Sequence, residues 1–393
     1  MAKRKILFKA PFADFSGYAT VARHFLLELY KQDVFDLYLE PIVWINSGNL
    51  DLPKEDQIIL DSLLEKSQKL QMADVADMTL VHFSVAPEFV GKQTPFKCNI
   101  GFTMLETDKT TVTWRNHCNA MDAIIVPSTF CLSSFMQSGI TAPIRIVPFG
   151  VDFDKYKPEG EKLLQNLPTK YNFLSVGQWL PQGDRKNIMG VVRTFLSLFK
   201  NNADVGLILK TYHESAGTRD KIAVSQTIQS IKKDMGMEAQ DPPYIYLVHG
   251  AMDSEDIARL YRSADSFLLP SLGEAWGMPL IEAAASELPI ITTGGTGAEA
   301  FLNPDSVILL DYETKPIGDT FNWPGVYEAY QQLTIPNMEE FARMVNRVYT
   351  NQDISKEAAV AQRKELIDRD FSWANAAKIF AQTVEEIIED TSN

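Results

Sequence analysis

Short apolar runs alternate with helical stretches along this chain, and they do so in two successive series. The first series has apolar runs at residues 6–10, 35–44, 78–83, 99–104, 123–127 and 144–148, with helical patterns at 19–30, 55–72, 112–120 and 129–137 between them. Ser128 is placed to cap the last of these helices and Gly139 to end it. The second series places strands at 173–176, 205–210, 244–248, 267–270, 290–293 and 307–310, with helices at 187–200, 219–235 and 253–263. Brief apolar runs of this kind are buried parallel strands, and their alternation with helices is the pattern of βαβ units. The sequence therefore predicts an α/β fold of two doubly wound domains facing each other across a cleft. A charged connection containing Pro and Gly at 152–167 sets the expected limits: 1–168 for the first domain and 169–370 for the second. A closing segment at 371–393, a helix capped by Ser372 with Ala376, Ile379, Phe380, Val384 and Ile387 on one stripe, is expected to pack back toward the first domain. Residues 319–336, with Trp323, Pro324, Tyr327 and Tyr330, form the least regular segment.

A length of 393 residues exceeds what one ordinary core supports, which agrees with two domains. The formal charge of −14 argues against a surface that grips nucleic-acid phosphates. The basic start Lys3-Arg4-Lys5 leads into an apolar run that Lys9 interrupts, so no signal peptide is expected; no run reaches the roughly 18 apolar residues of a membrane span. At most a peripheral membrane contact follows from it. Cys98, Cys118 and Cys131 lack metal-type spacing and read as reduced, buried thiols of a cytoplasmic protein.

The stretch from Ser266 to Glu282 combines a buried strand, a loop with Gly273, Glu274 and Gly277, and a helix start with Pro279 at its first position and Glu282 in its first turn. In open α/β sheets ligands bind above the carboxyl ends of strands, and a helix N-terminus favours an anion. An ordinary joint with two solvated glutamates has the same spacing, so the residues alone leave both readings open. In the first domain, the loop after residues 6–10 holds only Gly17, so the dinucleotide fingerprint G-x-G-x-x-G is absent.

Glu274-Ala275-Trp276-Gly277-Met278-Pro279-Leu280-Ile281-Glu282-Ala283 looks like an E-x7-E element. In order and spacing it is joined by Pro127-Ser128, by Val147-Pro148-Phe149-Gly150-Val151-Asp152, by Ser175-Val176-Gly177-Gln178-Trp179 with Arg185-Lys186-Asn187, and by Phe371-Ser372-Trp373. With these motifs the chain resembles the retaining glycosyltransferases of the GT-B fold, family 4 (glycosyl transferases group 1), over nearly its whole length.

The resemblance implies that Glu282 accepts from ribose hydroxyls of a nucleotide. It implies that Glu274 contacts the transferred sugar, aided by backbone N–H groups of Trp276, Gly277 and Met278, and that Arg185 and Lys186 neutralise the diphosphate. Lys210, at a strand end on the cleft rim, and the loop Gly294-Gly295-Thr296-Gly297 are further candidates on this side. Gly250 and Met252 stand where relatives meet the base through backbone, and Gly17 and Tyr18 where a loop approaches phosphates and acceptor. Relatives carry a histidine near the reacting sugar where this chain has Thr103-Met104-Leu105-Glu106-Thr107-Asp108; Glu106 is the candidate catalytic group there. His82, read as a hydrogen-bonded rim residue, is the other.

Asp152-Phe153-Asp154 imitates a metal motif of another fold, and the resemblance implies neither metal nor cofactor. The expected reaction moves a hexose from a nucleotide diphosphate sugar, UDP favoured over GDP, to a glycan, lipid-linked or small-molecule acceptor hydroxyl. Retention follows a front-face route in which the leaving phosphate oxygen helps deprotonate the acceptor. The alternatives are a catalytically weak nucleotide-sugar-binding subunit that acts through partners and, less favoured by the charge, a nucleic-acid glycosyltransferase.

Overall fold

The computed structural model of the chain describes residues 3–44, 52–91, 94–180, 182–215, 217–321, 323 and 325–392; Met1, Ala2 and Pro324 lie outside them. The chain divides into two compact units, residues 1–150 with 323–331 and 371–393, and residues 151–322 with 332–370.

The first unit is built on β1 (Lys5–Pro11), β2 (Asp36–Ile42), β3 (Thr79–Phe83), β4 (Cys98–Phe102), β5 (Ala123–Val126) and β6 (Ile144–Ile146), with α1 (Gly17–Gln32), α2 (Lys54–Ser67), α3 (Met72–Val75), α4 (Val112–Asn119) and α5 (Thr129–Gln137). The strands are parallel in the order β2-β1-β3-β4-β5-β6, so the connections leave β1 and β3 toward opposite edges. Ser16 and Ser128 cap α1 and α5 through their side chains. The helix expected to reach Met72 ends at Ser67, because Gln71 and Asp74 form a capping box that starts α3 afresh. The basic start is internally paired, Lys3 with Asp33 and Arg4 with Glu385.

The second unit has β7 (Tyr171–Val176), β8 (Val205–Thr211), β9 (Tyr244–His249), β10 (Ser266–Leu269), β11 (Ile290–Thr293) and β12 (Ile308–Leu310), with α6 (Ile188–Leu198), α7 (Thr218–Asp234), α8 (Ser254–Tyr261) and α9 (Met278–Ala285). This sheet is also parallel, in the order β12-β11-β10-β7-β8-β9. The strand order reverses between β7 and β10, which makes their carboxyl ends the topological switch point. Phe173, Phe195, Leu207 and Leu209 pack with Phe341 and Val345 in its core.

Three departures from the sequence reading matter here. The boundary lies at Gly150, not at 168, because the 152–167 stretch lies along α8: Leu163 N–H donates to Arg259 O at 3.0 Å, Leu164 N–H to Ser263 Oγ at 3.0 Å, and Arg262 Nε to Glu161 O at 2.8 Å. The segment read as irregular contains one arm of a hairpin, β13 (Tyr312–Pro316) paired antiparallel with β14 (Gln332–Pro336). After α10 (Met338–Thr350) comes α11 (Gln352–Asp368), a helix the pattern did not suggest. The last helix, α12 (Trp373–Ser392), belongs to the first unit: Phe380 lies 6.0 Å from Phe8 and 5.3 Å from Phe25, and His24 stacks on Trp373 at 4.4 Å.

Candidate functional site

Two loops meet at the switch point of the second unit. The loop after β7 carries Arg185 and Lys186; the loop after β10 carries Glu274. The Asn187 side chain donates through Nδ2 to Pro270 O at 3.0 Å, and Leu272 N–H donates to Arg185 O at 2.7 Å, so the loops are tied by one side-chain and one backbone bond. Lys186 Nζ reaches both Glu274 carboxyl oxygens, at 2.7 and 2.9 Å. Arg185 Nη1 donates to Gly273 O at 2.5 Å and lies 3.8 Å from Glu274 Oε2. Glu274 is 4% exposed. Burial pushes its carboxyl up, but Lys186 and Arg185 outweigh that and hold it below the usual carboxylate range.

Glycines set the shape of this loop. Gly277, at φ +95°, begins α9 in the left-handed region. A Cβ on Gly297 would stand 1.9 Å from Ala275 O; without one, Gly297 N–H donates to Glu274 O at 2.7 Å. The glycine loop at 294–297 thus braces the backbone that presents Glu274. A second brace was invisible to sequence reasoning: Thr334 of β14 donates from its backbone N–H to Leu272 O at 2.9 Å. Trp276 is core, 2% exposed with its ring 4.9 Å from Phe301, so only its backbone is available to a ligand.

Glu282 lies in the second turn of α9 rather than the first, since the helix begins at Met278. Tyr261 Oη is 2.9 Å from its Oε2 and 3.1 Å from Pro279 O. Burial pushes the Glu282 carboxyl up to about 7, against the opposing pull of hydrogen bonds from Tyr261 and Tyr156 and the charge of Lys155. Both tyrosines are held well above their ordinary value, first by burial and then by Glu282. Neither was singled out by the sequence, for one stands in the connection after Asp152 and the other ends α8.

Beyond β7, the ends of β8 and β9 form a third wall. Lys210 is not on a rim but 7% exposed, donating to Gly250 O, and burial lowers its ammonium to about 8. Gly250, at φ +91°, turns the chain toward Met252. The organiser of this wall is Asp220 of α7. Its Oδ1 accepts from His249 Nε2 at 2.6 Å and His213 N–H at 3.0 Å, and its Oδ2 accepts from Glu214 and Ser215 N–H at 2.7 and 3.0 Å. Burial raises this carboxyl, but His249 and the three N–H groups hold it well below the usual carboxylate range. Asp220→Asn turns one acceptor into a donor that faces donors. An expected loss of about 2 kcal/mol would lower Tm by roughly 5 °C in calorimetry; an unchanged Tm would show that the hub carries no stability.

In the first unit, Gly17 opens α1, and a Cβ there would meet nothing within 4 Å. Packing does not require glycine at this point. Tyr18 Oη donates to Met104 O at 3.1 Å, and burial raises its phenol above the ordinary value. Glu106 Oε2 accepts from Tyr327 Oη at 2.8 Å. His82 departs from expectation. It is 1% exposed, neither ring nitrogen has a hydrogen-bond partner among the described residues, and burial with the charge of Lys9 lowers it to about 3. It is a neutral core histidine beside Phe89. Phe83 and Trp114 are likewise fully buried.

Among the described residues no group of three His, Cys, Asp or Glu is placed to hold a metal ion. Asp152 Oδ1 instead accepts from Asp154 and Lys155 N–H, closing a turn. No helix among the described residues is long and apolar enough to cross a membrane.

Residues 216–315 match the family model described as Glycosyl transferases group 1. Over 99% of this chain and 100% of the other, the structure matches sucrose-phosphate synthase from Thermosynechococcus elongatus, with a TM-score of 0.67 at 15% identity. The fold is that of the GT-B glycosyltransferases. The GT-B match extends to Anabaena HepE in complex with UDP and glucose, over 97% of this chain and 99% of that one, with a TM-score of 0.59 at 14% identity. Identities this low speak for the GT-B fold alone.

Among curated relatives, the alpha-galactosylglucosyldiacylglycerol synthase of Streptococcus pneumoniae is 23% identical over 252 residues, 60% of this chain and 59% of that protein. The mannosylfructose-phosphate synthase of Agrobacterium fabrum is 25% identical over 155 residues, 38% of this chain and 32% of that protein. The chain thus spans less than two thirds of the length of either.

Proposed function

We propose that this chain transfers a hexose from a nucleoside diphosphate sugar, a UDP-sugar by preference, to an acceptor hydroxyl with retention and without a metal. The observation that carries this reading is a pair of buried carboxyl groups, on one loop and the helix that follows it at the switch point, whose surroundings shift them in opposite directions. Glu274 stays ionised under Lys186 and Arg185, while burial pushes Glu282 up to about 7. Groups whose environments drive them apart in this way mark functional sites.

The roles follow from the chemistry. Glu282 accepts ribose hydroxyls, and Glu274 with the backbone N–H groups of Gly277 and Met278 holds the transferred sugar. The bond between the anomeric carbon and the diphosphate breaks as the acceptor oxygen bonds to that carbon. The acceptor proton leaves on the nucleoside diphosphate. Negative charge grows on the leaving oxygens, and Lys186 and Arg185 are the cations set to stabilise it. Lys186 then shares its charge between Glu274 and the diphosphate, which leaves the carboxylate free to take a sugar hydroxyl. Lys210, Gly250 and Met252 border the place of the base.

Further support comes from the relatives. The matched segment 216–315 contains Glu274 and Glu282, both curated relatives are named as synthases of glycosides, and HepE holds UDP and glucose. The test is release of nucleoside diphosphate from UDP-, GDP- and ADP-hexoses, with and without added glycosides, alongside thermal shifts with the free nucleotides. One donor is expected to turn over and its nucleotide to raise Tm. Absence of both, for every nucleotide, sinks the reading.

A further inference from the structure

Strand β8 sends alternate side chains to opposite faces of its sheet. Leu207 and Leu209 enter the core that holds Phe195 of α6 and Val224 of α7, so Lys210 leaves from the other face. In β10, Leu268 belongs to that same core. Its neighbour Phe267 turns the opposite way, its ring 5.7 Å from that of Tyr261, whose hydroxyl meets Glu282. Lys210 and Glu282 therefore share one face of the sheet.

The Lys210 ammonium is 7% exposed, donates to Gly250 O and lies 5.7 Å from the centre of the Tyr212 ring. Among the described residues it forms no ion pair, and burial alone lowers it, with no carboxylate charge opposing. An ammonium has three N–H donors, and Gly250 O takes one. A buried charge kept in this state is costly unless a ligand completes its hydrogen bonds.

Its direction tells which part of a nucleotide it meets. Lys210 O accepts from Gly177 N–H at 3.1 Å, and a Cβ on Gly177 would stand 2.9 Å from Lys186 Cγ, so both lysines border the end of β7. Their heads part from there. Lys186 Nζ turns to Glu274, after β10, and Lys210 Nζ to Gly250, after β9. In the order β10-β7-β8-β9 those two loops start three strand spacings apart, roughly 14 Å. A diphosphate is too short to meet both ammonium groups; a nucleoside diphosphate with its ribose at Glu282 reaches from one to the other. Because an ammonium only donates, the base that suits it shows a ring carbonyl oxygen where adenine carries an amino group.

We propose that Lys210 selects the base of the donor, donating to a ring carbonyl oxygen of uracil or guanine and rejecting the amino group of adenine. This rests on the donor reading above and names the base class. The test is calorimetry with UDP, GDP, ADP and inorganic pyrophosphate on the wild type and Lys210→Met. The wild type is expected to bind UDP or GDP about tenfold or more tightly than ADP. Lys210→Met should weaken that nucleotide by about ten- to a hundredfold, the range for a hydrogen bond from a charged donor, and leave ADP and pyrophosphate unchanged. Analogues probe the wild type directly, whether or not the variant folds. Sulfur in place of the contacted oxygen, in 2-thio-UDP, 4-thio-UDP or 6-thio-GDP, is a poorer acceptor and should weaken binding by about fivefold at one position. In Lys210→Met that difference should vanish.

Equal wild-type affinity for ADP, UDP and GDP, a loss in Lys210→Met that ADP shares, or indifference of the wild type to every sulfur replacement overturns the proposal and leaves Lys210 as a brace for Gly250. If none of the three nucleotides binds the wild type, the donor reading falls instead, so the two failures are distinguishable.

Discussion

Lys186→Ala is expected to lower transfer by about a thousandfold, the scale set by removing a group aimed at developing charge. It also removes the only contact that reaches both oxygens of Glu274 among the hydrogen bonds above. Glu274 would then stand nearly buried with Arg185 at 3.8 Å as its remaining cation. Breaking a buried pair from one side costs about 3–5 kcal/mol; the Lys186 side chain is 16% exposed, which places the expected loss at the lower end.

The double variant Lys186→Ala, Glu274→Gln separates the two effects. It removes the stranded charge, so thermal stability should recover, while nucleoside diphosphate release stays low because neither the cation nor the sugar-binding carboxylate has been restored. Recovery of release together with stability would mean that the lysine serves only to hold Glu274. Release by Lys186→Ala within tenfold of wild type would remove Lys186 from the chemistry altogether.

The doubly wound architecture was legible because each buried parallel strand announces itself as a short apolar run, as 290–293 and 123–127 do. The strand–loop–helix around Glu274 was legible for the same reason. What escaped is what depends on partners distant in sequence. Tyr156 and Tyr261 converge on Glu282 from two other segments, and nothing in their local pattern points to a carboxyl. Asp220 reads as an acid in the first turn of a helix, a common placement, yet it gathers N–H groups from the loop after β8 and the ring of His249 at the end of β9.

The 152–167 stretch reads as a linker from its charges, whereas its backbone pairing with α8 makes it part of the second unit. Helix α11 buries only Ala359, Gln362 and Leu366, too sparse an apolar face to show a helical period. The histidine that the family resemblance led one to expect at position 106 also illustrates the limit. Its absence at Glu106 was visible, but the tie to Tyr327, over two hundred positions away, was not.

A carboxyl near 7 in the folded chain and at an ordinary carboxylate value in the unfolded one makes opposite demands on stability and on binding. In that window the folded state holds the extra proton. The contribution of Glu282 to stability is therefore complete below the ordinary carboxylate value and is lost as pH rises through about 7. Ribose hydroxyls, as donors, need the ionised carboxylate, so affinity for UDP-glucose, a diester whose phosphates do not titrate here, should climb in the same window. The expected gain is up to about 50-fold between roughly pH 5 and 7, levelling above it.

Calorimetric titration across that range reads the climb directly. Glu282→Gln should bind with nearly constant affinity and should flatten the corresponding part of the stability profile, the difference from wild type isolating this one group. Tyr261→Phe removes a hydrogen bond that favours the ionised form, so the climb should move to higher pH rather than disappear. An affinity that falls as pH rises, or an unchanged climb in Glu282→Gln, would place the ribose elsewhere. The carboxyl buried with two tyrosines would then be a structural group, and the donor would have to be held at the switch point by Glu274, Lys186 and Arg185 alone.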